Sequence, residues 1–270
     1  MAPTKELLIQ DTDQAYEAGT IISVCHDGPI SFEQLIADLD GVRVIYVGEK
    51  HTSRSHHEIQ LKIIQAVFRQ HPKMAVGMEM IDRSYQDILN HWSAGDLDQK
   101  AFLRKIHWYA NWRYGFSLYA DIFDFIKKNH IRLAALNIPF DIPPKIRVGG
   151  IENLRPAEKK YLPDHIDTTR ADHRAYLKEV FGQHSFKGKG EFEDFYMAQC
   201  VWEDTMAEAI ARNLKDDVMV VLAGNGHIQF KYGIPDRAFS RTGAAFRTIF
   251  LAPAGGKVKL DVADYIWVTK

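Results

Sequence analysis

Cysteine is almost absent: the 270 residues hold two, Cys25 and Cys200, far apart and in no Cys-x-x-Cys pair. That excludes a disulfide framework and a thiolate metal centre, and leaves both as small residues for packed positions. Charge of one sign is equally scarce, with 34 Lys and Arg against 35 Asp and Glu for a formal net charge of -1. No global field then favours nucleic acid or an anionic membrane surface. No apolar run approaches the length of a transmembrane span, and residues 1–19 lack the apolar core of a signal peptide. With neither leader nor lipobox as written, the expected compartment is the cytoplasm. Walker A and Gly-x-Ser-x-Gly elements are missing, and Gly224-Asn-Gly226 lacks the third glycine of a dinucleotide fingerprint.

What is present is a paired design. Val42-Arg-Val-Ile-Tyr-Val47 is rich in β-branched and apolar residues, as a strand buried on both faces requires, and it runs into Gly48-Glu49-Lys50-His51. Val218-Met-Val-Val-Leu-Ala223 repeats the pattern and runs into Gly224-Asn-Gly-His227. Two apolar strands that each end in Gly-x-x-His place the chemistry between His51 and His227.

In order, residues 1–18 read as a short polar helix or arm. Gly19 to Gly41 reads as a hairpin and a short helix, with a turn at Asp27-Gly28 and Ser31 capping against Gln34. A helix is expected over 55–70, stopped by Pro72, and a buried strand over 74–81 that carries Glu79. Two helical segments flank Ala94-Gly95-Asp96. Phe116, Tyr119, Ala120, Phe123 and Ile126 then mark an amphipathic helix leading into strand 131–136 and Asn137. Residues 141–194 are charged and helical, with Pro143-Pro144, Gly149-Gly150 and Gly188-Lys-Gly190 as punctuation. A long helix over 193–214, a strand over 246–251 and an edge strand within 258–268 complete the chain.

Strands and helices in alternation, with nearly all-apolar strands, mean an α/β fold with a mainly parallel central sheet flanked by helices and a smaller helical subdomain. Residues 1–82, 113–140 and 195–270 are expected to form the α/β domain, with 83–112 and 141–194 as helical insertions. Right-handed crossovers bring the carboxyl ends of parallel strands to one edge, where open α/β sheets bind ligands. Glu49, His51, Glu79, Asn137 and His227 all fall there. The two carboxylates and two imidazoles suit a divalent metal ion, or general acid and base groups. His56 and His57 open a helix just after His51, so one of them can turn back into the site or both lie on a solvated face. Tyr119 on its apolar stripe is either a buried tyrosine with a satisfied hydroxyl or a phenolate ligand for ferric iron. Trp108, Trp112 and Tyr114 form a cluster that either walls a flat aromatic ligand or belongs to an interface or the core. The other scattered histidines (His107, His130, His165, His173 and His184) read mostly as surface residues, and the Lys and Arg of 145–190, interleaved with acids, as a solvated face.

These motifs taken together resemble the ChaN-like haem-binding uptake family of the Tiki/TraB and erythromycin-esterase-like superfamily. The resemblance runs through the 19–39 hairpin and helix, Gly48-Glu-Lys-His51 with His56-His57-Glu-Ile-Gln60, Gly77-Met-Glu79-Met, Ala94-Gly95 with Phe102-Leu103, and Trp112 with Tyr119. It continues through Ala135-Leu-Asn137-Ile-Pro139, Ala198-Gln199 with Asp204-Thr-Met206-Ala207, Gly224-Asn-Gly-His227-Ile and Gly233-Ile-Pro235. It implies haem binding in haem and iron uptake, storage or trafficking, and leaves open whether any reaction is catalysed. Haem would sit at the sheet edge across a homodimer interface, with two haems face to face. By position relative to Asn137, Tyr119 is the implied iron ligand, with His227 a second candidate. His51, His57, Glu49, Glu79 and Asn137 are the implied surroundings. Thr52 departs from the Asp that family members commonly carry after the first His, and the lipoprotein signal of anchored members is missing. The competing expectation is a metal-dependent hydrolase or peptidase using Glu49, His51, Glu79 and His227.

Overall fold

The computed structural model describes residues 5–183, 191–215 and 218–270. In chain order it runs β1 (Glu6–Ile9), β2 (Gln14–Glu17), β3 (Ile21–Ser23), β4 (Gly28–Ile30), α1 (Phe32–Asp38), β5 (Val44–Glu49), α2 (Arg54–Gln70) and β6 (Ala75–Asp82). Then follow α3 (Gln86–Ala94), α4 (Gln99–Lys105), α5 (Trp108–Asn111), α6 (Ala120–Lys128), β7 (Arg132–Asn137), α7 (Ile142–Gly149), α8 (Pro156–Lys159), α9 (Ala171–Gln183) and α10 (Phe192–Asn213). The chain ends with β8 (Met219–Gly224), α11 (Asn225–Ile228), α12 (Ile234–Thr242), β9 (Phe246–Pro253), β10 (Lys257–Val258) and β11 (Tyr265–Thr269).

Eight strands share one sheet in the order β4-β3-β11-β9-β5-β8-β6-β7. The six from β11 to β7 are mutually parallel, and the β3–β4 hairpin closes the far edge antiparallel. Alternation sorts the core into two layers. Ile45, Val47, Val76, Met78, Val220 and Leu222 pack with α2, α3 and α6 on one face. Val44, Tyr46, Ala75, Met219 and Val221 pack with α10 and α12 on the other. The expected α/β class with its mainly parallel sheet is what forms.

Local rules explain most boundaries. Ser31 accepts from Gln34 N and the Gln34 side chain accepts from Ser31 N, closing the expected capping box. The opening arm is a β-hairpin rather than a helix: Leu7 and Ile9 point alternately inward, fully buried, and β1 pairs with β2 and β10 in a second small sheet. Pro143-Pro144, expected as punctuation, sit in the first turn of α7, where a missing N–H costs nothing. Gly188-Lys-Gly190 and His184 lie outside the described residues. The 83–112 helices share the sheet's core through Leu89, Trp92, Phe102 and Trp108, whereas α7, α9 and the start of α10 build two small clusters of their own. Among the described residues no helix is long and apolar enough to cross a membrane.

Candidate functional site

Glu49 ends β5 with its side chain on the α2 and α6 face, buried to 2% exposure. Its Oε1 accepts from the Tyr119 hydroxyl at 2.7 Å and from His51 Nδ1 at 2.6 Å, and His57 Nε2 stands 3.1 Å from Oε2. Burial opposes ionisation of this carboxyl, but hydrogen bonds and charge from His51 and His57 outweigh it and hold it down to about 2. Tyr119 caps α6 with 0% exposure, and burial followed by the Glu49 charge pushes its phenol far up. His57 is buried against the Tyr119 ring at 4.2 Å, so α2 does turn a histidine back towards the sheet edge. His56 is buried too, but for a different purpose. Its Nδ1 accepts from Lys50 N at 2.9 Å and its Nε2 faces Thr269 Oγ1 at 3.1 Å, which ties α2 to the end of β11. An imidazole that accepts a backbone N–H is neutral there, and burial pulls it down to about 4.

Around the sheet edge, carboxylates and imidazoles alternate. His51 lies between Glu49 and Glu79, with an edge against Gly224. A Cβ on Gly224 would stand 3.0 Å from His51 Cε1 and 3.1 Å from Nε2. Glu79 accepts from Gly224 N at 2.6 Å and lies 3.6 Å from His227 Nε2. His227 Nδ1 lies 3.3 Å from Glu203 Oε1, and Glu203 Oε2 is 3.1 Å from His173 Nε2. Burial works against the charged form of His51 and His227, but the neighbouring carboxylates prevail and raise both. Burial lowers His173, and the Arg237 guanidinium outweighs part of the opposing pull of Glu203. Arg237 donates to Nδ1 of His173 at 3.1 Å, to the Asp167 carbonyl at 2.8 Å and to Asp204.

The expected residues separate into two groups. Glu49, His51, His57, Glu79 and His227 are brought together in this row. Asn137 adjoins it but is spent on the backbone: Nδ2 donates to the Glu79 carbonyl at 2.7 Å and Oδ1 accepts from Ile138 N at 2.8 Å. It replaces ladder bonds where the β6–β7 register shifts between Met78 and Asp82. His173, expected at the surface, is buried, and Cys25, expected in a packed position, is exposed. Glu203 and His173 were not singled out as site residues. The signal for the first is a consecutive acid pair, Glu203-Asp204, set among the apolar residues Val201, Met206, Ala207 and Ile210 of its helix.

A cleft of about 530 Å³ opens over this row, within the roughly 300–1,000 Å³ of small-molecule sites. His51 and Glu79 contribute to its lining. Trp112, Phe140, Pro143, Pro144, Val148, Phe195, Ala198 and Trp202 make it largely apolar, and Asn111, Arg113, Tyr114, Arg147 and Gln199 add polar groups. The His51 ring lies 4.8 Å from Trp112 and 5.0 Å from Tyr114. Neither nominated iron ligand belongs to this lining: Tyr119 is sealed behind with its hydroxyl on Glu49, and His227 lies against Trp202 at 5.0 Å. Tyr114, expected in the aromatic cluster, does belong to it with Trp112, and so does Arg147, which was expected on a solvated face. A more polar cleft of about 780 Å³ shares Asn111, Arg113 and Phe140 with the first. Among the described residues no group of three or more His, Cys, Asp or Glu side chains is arranged to hold a metal ion.

Apolar walls, a tyrosine and an imidazole in one slot of this size fit an iron porphyrin. The fold has solved counterparts. ChaN of Campylobacter jejuni, a structure described as showing cofacial haem binding, superposes with a TM-score of 0.73 at 19% identity, covering 92% of this chain and 95% of that one. The H289N mutant of the erythromycin esterase EreC in its open conformation superposes with a TM-score of 0.50 at 13% identity, covering 82% and 72%. At these identities the likeness concerns the fold. No curated protein matches the chain. A family model does, over residues 35–238, and on that match the chain belongs to the haem-binding uptake family, ChaN, of the Tiki superfamily.

Proposed function

We propose that this protein holds haem in the cleft at the carboxyl edge of its sheet and serves haem and iron uptake, storage or trafficking. The observation that carries this reading is that flat aromatic walls and a phenol, Tyr114, line one slot over a row of buried carboxylates. Bound there, haem would supply a ferric centre that a phenol oxygen or an imidazole nitrogen of the lining could hold. Tyr114 is the donor best placed to hold it, because the Tyr119 hydroxyl is already committed to Glu49 and His227 is absent from the lining. His51 and Glu79 line the cleft, with Glu49, His57 and His227 packed beside them in the row, and the row's carboxylates favour a cationic metal centre. Asn137 keeps the strand ends in place rather than meeting the ligand. The segments 83–112 and 141–194 both contribute to the cleft's walls, the first through Asn111 and Trp112 and the second through Pro143, Pro144, Arg147 and Val148.

A second copy of the chain is the proposed cover. Val148 in the cleft and Tyr109 in the adjoining one are 68% and 69% exposed, and such apolar groups at a mouth favour a partner surface. The test is a haemin titration of the purified chain, read as a Soret shift, with molar mass measured before and after loading. Tyr114→Phe is expected to lose the phenolate charge-transfer band while Tyr119→Phe keeps it. Absence of any Soret shift in the unaltered chain sinks the reading.

One observation favours a second reading. The 2.6 Å contact of Glu49 with His51 is the carboxylate–imidazole pairing that fixes a general base, so the row Glu49, His51, Glu79 and His227 suits hydrolysis by acid and base groups alone. An ester and peptide substrate screen decides it: turnover that vanishes in Glu49→Gln supports hydrolysis, and no turnover removes it.

A further inference from the structure

We propose that the polar cleft is a binding site of its own, which takes a small primary ammonium compound with an apolar body and holds it on Asp82. The site does not depend on the haem reading. Asp82 ends β6 where the pairing with β7 shifts register between Met78 and Asp82, and such irregularities re-aim a side chain. It lines the cleft of about 780 Å³, although the residue is only 3% exposed. One of its oxygens is spent: Oδ1 accepts from Ser84 N at 2.9 Å and from the Ser84 hydroxyl. Oδ2 takes no partner among the described residues, yet unlike Glu203 Oε2 it is not sealed from solvent. Burial raises this carboxyl against the pull of the Ser84 hydrogen bonds, and Asp141 adds to the rise. An ionised carboxylate held there lacks a partner for half of its acceptor capacity, and a cation with N–H donors supplies that partner with a counter-charge.

The remaining lining defines the ligand. A single free carboxylate oxygen is too small a set for a metal ion but suffices for one ammonium group. Tyr85, Tyr109, Phe140 and Tyr161 give the cleft aromatic surface, which suits an apolar body and attracts a cation near a ring face. Most of the other charges are engaged with one another: Lys145 pairs with both Asp141 and Glu158, and Arg155 pairs with Glu158. Arg113 is exposed and, among the described residues, outside any ion pair. With two guanidinium groups in the lining, a ligand carrying one positive charge is favoured over a diamine.

The experiment titrates the full chain by calorimetry with phenethylamine and with phenethyl alcohol, which carries a hydroxyl in place of the ammonium. The amine is expected to bind about tenfold more tightly or better, as a hydrogen bond between charged groups implies. Asp82→Asn keeps an acceptor for Ser84 and should bring the amine down to the alcohol, with alcohol affinity within about twofold of its first value. Asp141→Asn, at an exposed carboxylate already tied to Lys145, should leave amine affinity within about twofold. Equal affinity for the two ligands on the unaltered chain, or binding of neither, overturns the proposal. So does amine binding that survives Asp82→Asn, or a loss in Asp141→Asn as large as that in Asp82→Asn, which would trace the binding to surface charge. The comparison of amine with alcohol needs no variant, so it decides the matter even where Asp82→Asn fails to fold.

Discussion

The Tyr119 hydroxyl donates a 2.7 Å hydrogen bond to Oε1 of Glu49, the same oxygen that His51 Nδ1 approaches to 2.6 Å. One carboxylate oxygen therefore fastens the start of α6 and orients the imidazole at the cleft. Tyr119→Phe removes a buried bond to a charged acceptor, a loss of about 1.5–3 kcal/mol. Urea unfolding should show that loss, while haemin titration should show affinity unchanged within twofold. A large fall in haemin affinity with unaltered stability would return Tyr119 to the ligand site.

Tyr119 also marks where sequence reading reaches its limit. Its spacing with Phe116, Phe123 and Ile126 reveals a buried stripe, and hydrophobic periodicity locates such stripes well. Periodicity does not say whether a phenol on that stripe opens on a cavity or is sealed against a carboxylate seventy residues earlier. The strand ends were legible because a buried parallel strand leaves no doubt where its apolar run stops. Glu49, His51, Glu79 and His227 followed from that alone. Tyr114 was legible as a member of the aromatic cluster, but between α5 and a short turn at 116–118 no period tells it apart from Trp108, which is core. His173 and Glu203 meet only because α9 and α10 pack together, a tertiary fact with no local trace. The first hairpin escaped for a simpler reason: four-residue strands show too few alternations to tell from a polar arm.

Two glycines of one motif should behave in opposite ways. Around Gly224 an added methyl would press on His51 Cε1 and Nε2 at 3.0 and 3.1 Å, whereas around Gly226 it would meet nothing within 4 Å. Gly224→Ala is expected to cost about 1–3 kcal/mol by overpacking and to displace the His51 ring. Gly226→Ala should leave stability within about 0.5 kcal/mol. Chemical denaturation measures both, and the His51 imidazole resonance reports the displacement. Equal effects at the two positions would remove the role given to Gly224 as the seat of His51.

The Glu49–His51 pair should shape the dependence of stability on pH. Glu49 is held at about 2 in the folded chain against an ordinary 4.5, so its contribution is complete above about 4.5 and is lost as pH falls towards 2. His51 and His227 are raised, so theirs is complete below about 6.5 and is lost as pH climbs through their folded values. Glu49→Gln should lower stability at neutral pH and flatten the acid limb. It should also soften the alkaline decline in part, since His227 keeps Glu79 and Glu203. Unfolding free energies at intervals from pH 2 to 9 test this, and an acid limb identical in the variant would show that other carboxylates carry it.

Arg237 supports the far end of the row. It is wholly buried, with Asp204, the Asp167 carbonyl and His173 accepting its N–H groups and Glu203 at 3.5 Å. Removing one partner of a buried ion pair leaves the other charge stranded, so Arg237→Met should cost about 3–5 kcal/mol. Asp204 retains Arg241 at 2.7 Å and the Asp167 amide at 2.8 Å, so Asp204→Asn should cost less. Because the two side chains share one interaction, the double variant Arg237→Met with Asp204→Asn should lose less than the sum of the singles by 1 kcal/mol or so. Urea unfolding of the four proteins closes the cycle. Strict additivity would mean that Arg237 acts on the fold through Glu203 and His173, and that Asp204 merely lies beside it.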